Sequence, residues 1–342
     1  MSIPPTSSKN NIILALSMGE PGGIGGELSL KTWVERLQNN TPPFFVIDNP
    51  DRLQKIASRL NWPVVLKEIF SPDQCIEVFD DALPVLSVGD VPDYEHGKAI
   101  PGTAQAVCRS IEMAVQMAMN GDVHALVTNP IQKNALYDAG FEYPGHTEYI
   151  AHLCGDDEPV MMLASPDLRV IPLSIHEPLI KAVTSINQQT IIRKTRIVAR
   201  ALQVDFGIKN PHLAMAGLNP HAGEEGTMGN EEIDIIIPAI KTLQAEGINV
   251  SGPVPPDALF MARSRPDYDA AICHYHDQAL IPIKALDVDN AVNVTIGLSV
   301  IRTSPDHGTA LDIAGTGKAE PHSLVAALKM AEKIALNRNS SP

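Results

Sequence analysis

Short apolar runs alternate with amphipathic stretches along most of the chain, and the alternation predicts strands and helices in turn. Residues 11–17, NIILALS, read as a buried strand, and residues 18–27, MGEPGGIGGE, as a glycine-rich turn feeding a helix from Leu28 to about Asn39. Residues 44–48 follow as a strand, 51–60 as a helix, and 64–69 and 85–88 as short apolar segments. From 103 to 119 the apolar positions Ala104, Val107, Ile111, Ala114, Val115 and Ala118 recur at helical spacing, and Asn120-Gly121 ends the run. Residues 123–127 read as a strand. Residues 140–152 read as a turn and a helix whose start Thr147 is placed to cap. Residues 160–163 and 170–174 read as paired strands, 184–202 as one long helix, 211–215 and 270–273 as strands, 257–262 as a helix, 293–296 as a strand, 301–317 as polar, glycine-rich loop, and 323–337 as a closing helix. This βα alternation predicts a largely parallel sheet with helices on both faces.

The stretch 216–232, AGLNPHAGEEGTMGNEE, lies between a strand and a helix and holds four glycines, Asn219 and His221. Open α/β sheets carry their chemistry on such loops, so it reads as one wall of an active site, although glycine-rich loops also serve as plain turns. The opening turn after residues 11–17 resembles a nucleotide-binding start. Its spacing, however, does not give G-x-G-x-x-G followed by an acidic residue at the end of a second strand, which argues against a standard Rossmann site.

Charge narrows the choice of partners. The net charge of −14 argues against general nucleic-acid binding, so an anionic substrate needs a local cationic cluster. Four cysteines, Cys75, Cys108, Cys154 and Cys273, are far apart with no C-x-x-C pair, which suggests reduced thiols in a cytoplasm. The opening MSIPPTSSKN has no leader-like apolar core, and no run approaches the ~20 apolar residues that cross a bilayer, so a cytoplasmic protein without membrane contact is expected.

Three histidines share one placement. His176, His221 and His276 each follow an apolar strand, 45 and 55 residues apart (221 − 176 and 276 − 221), so three strand ends of one sheet can gather them. Three neutral imidazoles with an open position suit a catalytic divalent ion, whereas a histidine at a strand end also serves as an ordinary surface or hydrogen-bonding residue. His274 shares its segment with His276 and competes for the ligand role. A second group, Lys284, Asn293 and Arg302 with His146 and Thr147 earlier in the chain, suits a phosphate; the plainer alternative is surface cations.

The segments GEPGGIG, VTNPIQK, GHTE, GLNPHAGEEGTMGNEE, GPVPPD, YHDQ and VNVTIGLSVIRTSPDHGTALDIAG, in this order from about residue 12 to 335, resemble the 4-hydroxythreonine-4-phosphate dehydrogenase family of the pyridoxal phosphate pathway. The resemblance implies NAD- or NADP-dependent oxidation and decarboxylation of a phosphorylated hydroxy acid with one divalent metal, zinc, magnesium or cobalt. It also implies an α/β fold of two α/β/α domains with a cleft between them, like isocitrate and isopropylmalate dehydrogenases. Domains are expected at 1–130 plus 293–342, carrying the cofactor loop, and at 131–292, carrying the metal ligands and dimer contacts.

Carried over, the metal ligands fall on His176, His221 and His276, the last from the other subunit of a homodimer that shares its active sites. The substrate contacts fall on His146, Thr147, Lys284, Asn293 and Arg302. The segment His307 to Gly315 is similar to the HGSAPDIAG loop that holds the NAD adenosine in those dehydrogenases, which gives His307, Gly308, Thr309, Ala310 and Asp312 as cofactor residues. The chain departs from the pattern at Gly26, where a proline is usual, at Asn129, and at His274, which bears on the metal geometry. Asp277 and Asp257 are candidates for orienting an imidazole or relaying a proton, with solvated carboxylates as the alternative. The implied substrate is 4-phosphooxy-L-threonine, giving 3-amino-2-oxopropyl phosphate; the alternative is 4-phospho-D-threonate or 4-phospho-D-erythronate in sugar-acid breakdown.

Overall fold

The computed structural model describes residues 12–156 and 158–340. The polar opening segment 1–10 and Asn11 of the first expected strand lie outside them. Two units emerge, one from residues up to Pro144 and from His307 to Ser340, the other from Gly145 to Asp306. Both junctions fall 14 residues later than expected (145 − 131 and 307 − 293). The reason is β-pairing: Asn293 and its neighbours bond to Leu163 and Met161, so the strand 292–296 belongs to the second unit.

In the first unit five parallel strands, β1 (Leu14–Ser17), β2 (Phe44–Asp48), β3 (Leu66–Ile69), β4 (Leu83–Ser87) and β5 (Ala125–Thr128), run in the order β3-β4-β2-β1-β5. β1, β2 and β5 are buried at every position, which is why they read as continuous apolar runs rather than as alternations. The chain leaves β1 towards β2 on one side and returns to β5 on the other. This reversal places the carboxyl ends of β1 and β5 beside each other, the position where open α/β sheets take their ligands.

Three loops meet there. Asn129, just past β5, is wholly buried and donates to the Ser17 carbonyl at 3.0 Å and to Ser29 Oγ at 3.1 Å, clamping the glycine-rich turn. A Cβ on Gly22 would lie 1.9 Å from the Lys98 carbonyl, so only glycine admits the 95–98 loop. β2 ends on Asp48, as the sequence reading placed it, so an acidic residue does close the second strand although the G-x-G-x-x-G spacing is missing. The Asp48 carboxylate is buried 2.6 Å from Arg52 Nη1 and so is already engaged. The closing helix His322–Ser340 packs on β1 and β5.

The second unit holds seven strands: β6 (Val160–Ala164), β7 (Arg169–Pro172), β8 (Leu213–Ala216), β9 (Val250–Val254), β10 (Ala270–Cys273), β11 (Val292–Ile296) and β12 (Arg302–Pro305). Their order is β12-β11-β6-β7-β10-β8-β9. β7, β10, β8 and β9 are parallel, while β6, β11 and β12 join antiparallel, so the sheet of this unit is mixed. The sequence reading placed 301–317 in loop. Arg302 to Pro305 instead pairs with β11 in register, and its polar letters hide a strand whose residues are all buried. The long helix read over 184–202 is two helices, Leu179–Thr184 and Gln188–Val204, parted where Asn187 accepts from Thr190 N as a cap. The helix His276–Asp287 lays Ala279, Leu280 and Ile283 on a core of Leu163, Val170, Ala271 and Cys273.

Candidate active site

Register levels the ends of the central strands. Cys273 of β10 lies opposite Pro172 of β7, and Ile272 lies opposite Met215 of β8, so the loops carrying His176, His276 and His221 leave one edge of the sheet side by side. Of the three imidazoles, the chain brings two together. The rings of His176 and His276 stand 6.2 Å apart at 40° over a cavity of about 290 Å3, which Glu177, Tyr275 and Asp277 also line. Asp277 Oδ1 sits 2.6 Å from His276 Nδ1 and fixes that nitrogen as the donor, leaving Nε2 as the acceptor nitrogen of the ring. His221 lies apart from this pair, and among the described residues no three His, Cys, Asp or Glu side chains group as a metal site. Asp257, the other carboxylate considered, is exposed on the short helix Pro256–Leu259, which packs beside the His221 loop.

The His176 loop is pinned from below. Lys194 Nζ donates to the Leu173 carbonyl at 2.7 Å, Ser174 Oγ donates to Glu177 Oε2 at 3.0 Å, and Ser174 N donates to the His274 carbonyl at 3.3 Å. His274 itself is no competitor for the metal role. It is wholly buried, its Nε2 bonds the Ala216 carbonyl at 2.7 Å, and burial holds its pKa below the usual histidine value. Alternation along the strand does not govern the pair, because β10 ends at Cys273 and His276 already begins a helix. Gln278 completes the tie, accepting from His274 N and donating to the Gly217 carbonyl, both at 2.7 Å.

His221 opens an unusual turn. His221, Ala222, Gly223, Glu224 and Glu225 have φ of 52°, 53°, 80°, 40° and 58°, a consecutive left-handed run with only one glycine. Each non-glycine residue in that region costs roughly 1–2 kcal/mol, so surrounding contacts must impose the conformation.

Two of the expected phosphate residues, Asn293 and Arg302, lie on the antiparallel pair β11/β12. Asn293 lies opposite Ser304 and Thr295 opposite Arg302, so all four share one face. Arg302 Nη1 donates to Thr295 Oγ1 at 2.9 Å, and burial lowers the guanidinium pKa to about 10 although the Glu148 charge opposes the shift, so it stays cationic at neutral pH. Lys284, on the helix over this face, pairs with Asp306 at 2.9 Å. His146 and Thr147 are the first two residues of the helix His146–Cys154, whose first amides lack helical acceptors and favour an anion. Gly145 precedes the helix and no side chain caps it, so Thr147 lies inside the first turn rather than capping it. Sequence reasoning missed Thr295, Asp306 and Glu148. Thr295 was within reach, two places along the same strand face from Asn293.

In the first unit the expected cofactor residues form a loop locked onto the glycine-rich turn. Ile24 N donates to the Thr309 carbonyl at 3.1 Å, a Cβ on Gly23 would lie 2.8 Å from that oxygen, and Thr309 Oγ1 donates to Gln132 Oε1 at 3.2 Å. Buried Glu27 accepts from the backbone amides of Gly315 and Gly317, closing the far end of the loop. Ala310 holds a left-handed φ of 43°, His307 Nδ1 lies 2.9 Å from the Gly308 carbonyl, and Asp312 is exposed.

Known proteins resemble this chain over nearly its whole length. The sequence profile of the pyridoxal phosphate biosynthetic protein PdxA family matches residues 40–331. The chain is 46% identical over 333 residues to 4-hydroxythreonine-4-phosphate dehydrogenase of Bradyrhizobium diazoefficiens, covering 94% of this chain and 96% of that one. It is 48% identical over 327 residues to the enzyme of the same name from Erythrobacter litoralis, covering 95% and 97%. The crystal structure of 4-hydroxythreonine-4-phosphate dehydrogenase from Klebsiella pneumoniae superposes with a TM-score of 0.85 at 36% identity, over 95% of this chain and 99% of that one. The chain belongs to the pyridoxal phosphate biosynthetic protein PdxA family.

Proposed function

We propose that this chain is a cytoplasmic, NAD-dependent dehydrogenase that oxidises and decarboxylates 4-phosphooxy-L-threonine to 3-amino-2-oxopropyl phosphate, working as a homodimer with one divalent ion per site. The observation that carries this reading is the pairing of two imidazoles, His176 and His276, with a buried cation on a neighbouring strand pair of the same unit, in a member of this family.

The residues fit both absent groups. Two histidines at adjacent strand ends, one oriented by a carboxylate, are a donor set for zinc, cobalt or a similar ion, and His221 would join them. A backbone loop fastened at both ends over the β1/β5 switch point is a cradle for a dinucleotide, with His307, Gly308, Thr309, Ala310 and Asp312 along it. When bound, the ion polarises the substrate oxygens and the nicotinamide accepts hydride.

The chain's own residues then align the reactants. Arg302 grips the phosphate with a guanidinium already desolvated and braced by Thr295, so little reorganisation accompanies binding. Lys284 adds a second cation, Asn293 supplies an amide, and His146 and Thr147 present helix-start amides. Asp277 keeps the His276 proton on Nδ1.

The test is NADH formation from 4-phosphooxy-L-threonine and from 4-phospho-D-threonate, each with and without a divalent ion. The phosphorylated amino acid is expected to be turned over and to require the ion. Preference for the threonate, or turnover in metal-free buffer, would refute the substrate or the metal respectively.

A further inference from the structure

Beneath the left-handed turn lies a carboxylate that the reaction does not use. Glu232 is 1% exposed, yet its Oε1 accepts from Leu218 N and Asn219 N, both at 2.8 Å, and its Oε2 accepts from Asn219 Nδ2 at 2.9 Å. A Cβ on Gly223 would lie 2.7 Å from Glu232 Oε2, so the turn rests directly on this oxygen and the one glycine of the run falls where no side chain fits. Contacts therefore reach both arms of the turn, at 218–219 before His221 and at 223 after it.

The element that delivers Glu232 is itself irregular. Glu232–Ile236 is a π-helical turn leading into the helix Ile237–Ala245. Pro238 has no amide to give the Asp234 carbonyl, and Gln188 Nε2 takes that carbonyl at 3.0 Å instead. The widened turn is thus built by a proline and supported from a second helix, as such turns often are beside functional sites.

We propose that Glu232 is a positioning residue for His221: its buried carboxylate holds 218–219 and supports Gly223, and so imposes the left-handed turn that sets the place of the His221 imidazole. This rests on the reading of His221 as a metal ligand. The left-handed run has little intrinsic preference for its conformation, and Glu232 is the group that contacts it on both sides.

The test titrates the full-length, metal-free protein with Co2+ alone, followed by calorimetry and visible absorption, with melting curves to confirm folding. Glu232→Ala is expected to weaken Co2+ binding by about tenfold or more, the range typical for loss of a group that orients a ligand. Glu232→Gln keeps an acceptor for the two backbone amides and is expected to recover part of the affinity. In a His221→Ala background Glu232→Ala should cost no further affinity, because the residue it positions is gone.

Co2+ binding that is lost in His221→Ala but unchanged in Glu232→Ala overturns this proposal alone. An equal loss from Glu232→Ala in both backgrounds also overturns it, since the effect then bypasses His221. Unchanged binding in His221→Ala overturns the metal reading and this proposal with it. If Glu232→Ala does not fold, Asn219→Ala, which removes the amide's contacts with Glu232 and Glu231 and leaves the two backbone amides on Glu232, is read by the same criteria with a few-fold loss expected, and Glu231→Ala is the control that must leave Co2+ binding unchanged.

Discussion

Arg302 shows how much a single residue's setting adds to its sequence identity. A guanidinium beside a threonine on a strand is unremarkable as text, but inside the sheet it is a desolvated cation with a fixed hydroxyl partner. Arg302→Ala should raise the KM for the phosphorylated substrate by roughly 30-fold or more, about 2–5 kcal/mol for losing one side of a buried charged contact, and leave the KM for NAD nearly unchanged. Equal effects on both constants would remove Arg302 from the phosphate.

His274 gives the opposite lesson. It looked like a rival ligand because it sits two places from His276, and it is a structural tie instead. Burial lowers its folded pKa below the unfolded value near 6.5, so the fold prefers it neutral. Its contribution is therefore complete above that value and is lost as pH falls through and below it. Melting temperatures followed downward from neutral pH should fall more steeply in the native protein than in His274→Gln, and parallel slopes would count against this role. The three strand-end histidines were legible from spacing. The burial of His274 was not, because alternation assumes a strand that has in fact already ended.

Among the elements, strands that are apolar throughout were read correctly, and the polar one was not. β12 is spelled Arg-Thr-Ser-Pro, with no aliphatic or aromatic letter, and its existence depends on antiparallel pairing with β11, whose last residue, Ile296, lies six places before Arg302 (302 − 296). The cofactor loop makes a sharper element-level case. Its anchor, Glu27, lies in the first helix, while the amides it holds belong to Gly315 and Gly317, so no local pattern links them. Glu27→Ala should loosen the loop and weaken NAD binding at least several-fold, as measured by fluorescence titration, without altering Co2+ affinity. Loss of both together would mean that the substitution damages the fold generally.

On the scale of the whole molecule, the proposed homodimer has a direct test. In the shared arrangement that the family resemblance implies, His276 serves the neighbouring subunit's site, and mixtures of His276→Ala and Arg302→Ala protein should regain activity that neither variant has alone; if His276 instead serves beside His176 of its own chain, where the rings stand 6.2 Å apart, mixtures should regain none. Mixtures no more active than the sum of the parts would argue that each subunit is self-sufficient. The family resemblance implied two α/β domains with approximate bounds, and the two units of the structure begin 14 residues beyond them (145 − 131 and 307 − 293). The shift arises because membership of β11 is decided by its hydrogen bonds to β6, and hydrophobic spacing carries no record of which neighbour a strand chooses.

The first unit is assembled from two stretches of chain, up to Pro144 and from His307 to Ser340, whereas the second is one stretch from Gly145 to Asp306. During synthesis the second unit therefore emerges complete while the first still lacks its helix His322–Ser340, which packs on β1 and β5. The loop closed by glycines 315 and 317, the proposed dinucleotide cradle, is therefore delivered only after the whole of the second unit. A nascent chain thus carries its proposed metal ligands before the loop proposed to hold a nicotinamide.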